Sequence, residues 1–98
     1  MIDPSVRPAI VTLKGRISIQ ADHNCYCTPR EDNGPYQALE VAVFGPLANE
    51  LPEEFKQYEE EEAFSTPGRL FCYLPVPVLE EWLATMGLGI PEWVSQDF

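Results

Sequence analysis

Basic residues are scarce in this sequence. Its 98 residues carry six Lys and Arg against sixteen Asp and Glu, a formal net charge of −10. Polyanions repel such a chain. Direct binding to nucleic acid or to an anionic membrane is therefore disfavoured, and a protein partner with a basic surface is favoured. Long apolar runs are missing too: nothing approaches the roughly 18 residues that a membrane-spanning helix needs. The start, Met1-Ile2-Asp3-Pro4, has neither the basic residues nor the apolar stretch of a secretion signal. Cysteine occurs three times, an odd number that fits reduced thiols better than a disulfide framework. Together these absences lead to the expectation of a cytoplasmic protein. Ligand and catalytic signatures are also lacking. There is no glycine-rich phosphate loop, no Gly-x-Ser-x-Gly, no His-Glu-x-x-His, no EF-hand loop and no basic patch.

What is present suffices for one modest core. Apolar residues make up 45 %, within the globular range, and the length leaves room for a single domain over 1–98. Pro4 and Pro8 keep residues 1–8 extended as an N-terminal arm. Val11, Leu13, Ile17 and Ile19 then alternate with Thr12, Lys14, Arg16, Ser18 and Gln20, and Gly15 falls on the apolar side. Period two predicts a strand with one buried face, and Gly15 marks a bulge or a close approach of another backbone. A polar connection over 21–35 holds the turn signal Asn33-Gly34. Tyr36 to Phe44 reads as a second strand with Leu39, Val41 and Val43 on one face. Pro52 to about Glu62 reads as an acidic helix with a narrow stripe of Leu51, Phe55 and Tyr58.

Arg69 to Val76 reads as a third strand, with Leu70, Cys72 and Leu74 facing one way and Phe71 and Tyr73 the other. A last helix enters at Pro77 and buries Val78, Leu79, Trp82, Leu83 and Met86. Gly87 serves as its C′ residue, and Leu88 folds back on Leu83. Residues 91–98 form a tail. This order predicts an α+β fold: a small antiparallel β-sheet of three to four strands with two helices packed on one face.

His23, Cys25, Cys27 and Cys72 are every His and Cys in the chain, and one His with three Cys is an accepted zinc set. Against zinc, the single residue between Cys25 and Cys27 is tighter than a usual knuckle, and the third strand's alternation points Cys72 into the core. The competing reading is a pair of loop thiols and one buried thiol acting as a small hydrophobe. A Cys–His nucleophile would join Cys25 to His23. No orienting side chain stands out beyond adjacent Asp22 and Asn24, and so small a chain has little room for a substrate cleft. The expectation is no enzyme activity, no metal and no cofactor.

Glu59 to Glu62 are four consecutive acids near a predicted helix C-terminus, where the dipole and neighbours three and four apart disfavour them. The run reads either as a working surface that imitates a phosphate backbone or as a solvated helix end. The candidate partner-binding set is Glu53, Glu54, Glu59, Glu60, Glu61, Glu62 and Phe98. Trp93 reads as folding back to close the core, and Phe98 as the exposed aromatic.

A single short domain, a surplus of acids, the Glu59–Glu62 run and no catalytic motif: at class level this resembles the small acidic inhibitors that bacteriophages encode against host defence, anti-CRISPR proteins especially. No motif is shared, so no residue carries over. The resemblance implies a DNA-mimicking inhibitor in the host-cell cytoplasm that binds a CRISPR effector complex and blocks DNA access or nuclease recruitment. Two other classes stand beside it. One is a structural, assembly or adaptor protein of a phage or bacterium, associating through sheet edges or the Trp93–Phe98 tail. The other is a zinc-bound interaction module.

Overall fold

The computed structural model describes residues 7–23, 25–32, 34–60 and 68–95. Alternation over 11–20 predicts one long strand, but the chain folds there into a hairpin. Strand β1 (Ile10–Thr12) pairs with β2 (Gly15–Gln20), Ile10 opposite Ile17 and Thr12 opposite Gly15. The two-residue turn Leu13-Lys14 reverses the phase of the alternation. Ile17 and Ile19 are buried, whereas Val11 and Leu13 are 76 % and 107 % exposed. Thr12 fastens the turn: its hydroxyl accepts from the Lys14 N–H at 3.1 Å and donates to the Gly15 carbonyl at 3.0 Å. Gly15 is the close approach that the sequence marks. Its φ is +149°, and a Cβ there would lie 1.9 Å from the Phe44 carbonyl oxygen.

Strand β3 (Ala38–Phe44) pairs with β2, placing Ile17 against Val43 and Ile19 against Val41. Two further strands, β4 (Glu59–Glu60) and β5 (Gly68–Pro75), complete an antiparallel sheet of five strands in the order β1-β2-β3-β5-β4. The count exceeds the expected three to four because both edges are short pieces, of three and two residues, too short to show a period of their own. Short edges limit pairing with other chains.

Along β5 the side-chain phase slips. Leu39 lies opposite Leu74 and Val41 opposite Phe71, so three steps on β5 match two on β3. The extra residue is absorbed where Tyr73 takes φ +57°, uncommon for an aromatic residue. Phe71 and Leu74 therefore share the buried face, and Cys72 turns to the half-buried side. This corrects the expectation that Cys72 faces the core with Leu70 and Leu74. Tyr73 rests against Tyr26 with ring centroids 6.0 Å apart, and its N–H donates to the Tyr26 carbonyl at 3.0 Å.

The predicted acidic helix shrinks to a 3-10 helix over Glu53–Tyr58, after which Glu59 is extended and enters β4. Phe55 is fully buried and stands edge-on to both Phe71 and Trp82, each at 5.3 Å. Helix α1 (Val76–Ala84) starts from extended Pro75, with Pro77 in its first turn, and buries Leu79, Trp82 and Leu83. Its end is a Schellman turn. Gly87 has φ +72°, its N–H donates to the Ala84 carbonyl at 3.1 Å, and the Leu88 N–H donates to the Leu83 carbonyl at 2.9 Å. The 3-10 helix and α1 cover the same sheet face.

The predicted tail contains a further short helix, α2 (Glu92–Ser95), with Val94 buried. Trp93 folds back as expected. It meets Tyr36 edge-on at 5.9 Å and lies 3.9 Å beneath the Arg7 guanidinium. Arg7, at the described end of the N-terminal arm, exchanges two hydrogen bonds with the Gln20 side chain at 2.9 and 2.7 Å. Among the described residues no helix is long and apolar enough to cross a membrane.

Candidate functional site

Of the seven proposed docking residues, Glu53, Glu54, Glu59 and Glu60 lie within the described residues. Glu61, Glu62 and Phe98 lie outside them. Glu53 and Glu54 occupy the exposed first turn of the 3-10 helix, pushed outward because Phe55 takes the inward position. Glu53 meets Lys56 at 3.4 Å, an exposed pair of small energetic weight. Glu60 is exposed on the edge strand β4.

Glu59 behaves differently. Its carboxylate accepts a forked pair of bonds from Arg69, Nε at 2.9 Å and Nη2 at 2.6 Å, while Arg69 Nη1 donates to the Ala48 carbonyl at 2.9 Å. The Arg69 guanidinium holds the Glu59 carboxyl below its ordinary range. The two side chains are only 26 % and 18 % exposed. This fork draws Glu59 out of the predicted helix and into β4, so its charge is a structural one. Its only trace in the sequence is an Arg that opens an otherwise apolar strand ten residues later.

The cations are taken up throughout. All six Lys and Arg lie among the described residues. Lys14 pairs with Glu50 at 3.1 Å, Lys56 with Glu53 and Arg69 with Glu59. Arg7, Arg16 and Arg30 lie over the rings of Trp93, Phe44 and Tyr26. Exposed Glu54, Glu60, Glu80, Glu81 and Glu92 have no ion pair among the described residues. Residues 50–98 hold eleven of the sixteen acids and two of the six bases, so the surplus charge belongs to that half of the chain.

Burial and neighbouring acids hold all three thiols above their ordinary range. Cys25 is pushed up to about 12 by burial, then by hydrogen bonding to Asp22 and by the Glu40 charge. Burial raises Cys27 and Cys72 as well, and Glu40 adds to both. The Cys27 Sγ lies 3.3 Å from both the Asp22 and the Pro29 carbonyl oxygens, which share its single S–H. His23 is engaged elsewhere, with Nδ1 at 2.6 Å from Asp32 Oδ1. Among the described residues no group of three or more His, Cys, Asp or Glu is arranged to hold a metal ion. The four donors of the candidate zinc set are thus not brought together.

Comparison of the chain with protein-family models, with curated proteins and with solved structures finds no match.

Proposed function

We propose that this chain is a non-catalytic inhibitor that sets its acidic surface on the basic, nucleic-acid-binding surface of a protein complex. The observation that carries the reading is the accounting of charge. Each Lys and Arg is engaged within the fold, and Glu54 and Glu60 stand exposed with no ion pair among the described residues. Glu53 joins them once its loose pair with Lys56 opens. Glu59 acts from behind, holding β4 in place through Arg69. Long-range attraction speeds such an encounter, and it weakens as salt rises. The class that the sequence resembles makes a CRISPR effector complex the first partner to try. The exposed Val11 and Leu13 favour a second reading, an assembly module that associates by apolar contact.

Displacement of labelled target DNA from a purified CRISPR effector tests the first reading. The wild-type chain should displace the DNA, less well at higher salt. The triple variant Glu53→Lys, Glu54→Lys, Glu60→Lys should lose about tenfold or more in potency while its circular dichroism is unchanged. Equal potency of the triple variant, or no displacement by the wild type, overturns the proposal.

A further inference from the structure

Between the β1–β2 turn and the end of α1 lies a groove of about 490 Å³, half open to solvent. Buried Leu47 and Trp82 lie at its base, and Val11, Leu13, Met86 and Leu88 continue the apolar lining outward. The hairpin side is the most exposed, Val11 at 76 % and Leu13 at 107 %. Its backbone is nevertheless held. The Thr12 hydroxyl ties the turn, and the Leu47 N–H donates to the Lys14 carbonyl at 2.9 Å. Tips of two-residue hairpin turns favour Gly, Asn and Asp, so local preference does not account for a leucine here. Apolar side chains on a pinned backbone lose little freedom when something packs on them.

Charge narrows what that can be. Lys14 is the one base on the lining, and it is paired with Glu50 beside the turn at 3.1 Å. On the other wall, Glu81 precedes the lining residue Thr85 by one helical turn, and both are exposed. Residues 76–90 contain Glu80 and Glu81 and no Lys or Arg. With the Lys14–Glu50 pair cancelled, the surroundings are acidic. A second copy, itself at −10, is repelled. The groove suits an occupant that is apolar where it enters and basic where it flanks.

The sheet edge narrows the occupant's backbone. Strand β1 has three residues, and Pro8, two positions before it, has no N–H to donate. The hairpin therefore offers little for an extended chain to pair with. A segment that enters must satisfy its own N–H and C=O groups, as a helix does.

We propose that this groove receives an amphipathic helix of a protein partner, with the apolar stripe of the helix seated between Leu13 and Met86 and its Lys or Arg residues beside Glu81. The inference does not rest on the acidic docking face proposed above: the hairpin forms the sheet edge opposite β4, which carries Glu60.

The test is a titration of the full chain with synthetic peptides, followed residue by residue by NMR of the backbone amides. The probe is a helical peptide with Leu at i, i+3, i+4 and i+7 and Lys at the other positions. It should saturate the chain and shift the amides of residues 12–14 and 85–88. A peptide of the same composition in shuffled order, and one with Glu in place of Lys, should each bind about tenfold or more weaker. Leu13→Asn, which the turn favours, and Thr85→Arg, a cation that suits a helix C-terminus, should keep the melting curve and each lose about tenfold or more in affinity for the Leu/Lys peptide. The triple variant Glu53→Lys, Glu54→Lys, Glu60→Lys should still show the shifts at 12–14 and 85–88, so the two proposals fail separately. Shifts confined to other residues overturn the inference. So does equal binding of either control peptide, or full affinity in Leu13→Asn or Thr85→Arg. The same shifts on concentrating the chain without peptide would make a second copy the occupant and overturn it too.

Discussion

Glu59→Gln should cost far more stability than Glu60→Gln, one residue along the same strand. The Glu59 carboxylate accepts two bonds from Arg69, and the two side chains are 18 % and 26 % exposed. Glutamine keeps one acceptor oxygen, so one charge-assisted bond and the ionic attraction are lost. A hydrogen bond to a charged group contributes about 1.5–3 kcal/mol and an exposed ion pair less than about 1 kcal/mol. The partial exposure here places the loss at about 2 kcal/mol. For a domain of this size that lowers the melting temperature by roughly 8–16 °C. Glu60→Gln, on an exposed side chain with no ion pair among the described residues, should stay within about 0.5 kcal/mol of the wild type. Acid supplies the control. Arg69 lowers the folded-state pKa of Glu59 below the ordinary 4.5. The pair's contribution is therefore fully present above that ordinary value and is lost as pH falls through the lower folded one. Thermal melts of both variants at neutral pH and in strong acid decide the matter. If the two variants melt alike at neutral pH, or if the Glu59→Gln deficit persists in strong acid, the fork does not hold β4 as argued.

Gly15→Ala meets a harder limit, since the new Cβ would sit 1.9 Å from the Phe44 carbonyl oxygen at φ +149°. The backbone strain alone costs about 1–3 kcal/mol, and the overlap must push the hairpin from β3, so urea denaturation should show a total loss above about 3 kcal/mol. A variant within about 1 kcal/mol of the wild type would contradict the close approach. Cys25, with its thiol pushed up to about 12, should alkylate slowly with iodoacetamide in the native protein and much faster after denaturation, read site by site by mass spectrometry. Equal rates in the two states would remove the environment inferred around it.

Parts of the fold are legible in the sequence because the forces that set them are local. Ile17 and Ile19 alternate and are buried, Gly15 marks a backbone approach, and Gly87 with Leu88 closes α1. Elsewhere contacts distant in the chain decide. Val11 and Leu13 continue the parity of Ile17 and Ile19, so alternation alone does not reveal a turn between them. The slip at Tyr73 puts Cys72 and Leu74, which simple alternation places together, on opposite faces, and it arises from pairing with β3 rather than from any pattern within β5. The acidic run suits a helix by spacing but not by charge, and Arg69 resolves that conflict by drawing Glu59 into a strand. The excess of acid is plain in the composition. Which glutamates are left without a cation is set by tertiary pairing.

The strand order has an electrical consequence. Arg16 sits on the hairpin at one end of the sheet with no ion pair among the described residues, and exposed Glu60 sits on the strand at the other, whereas Lys14 and Glu59 are each cancelled by a partner, Glu50 and Arg69. At an interstrand spacing of about 4.8 Å, five strands hold their outer edges roughly 19 Å apart. These two charges contribute a dipole component lying across the strands. In the field of a cationic body the molecule experiences a torque from it as well as a pull, and rotates its β4 end forward while the two are still separated by solvent.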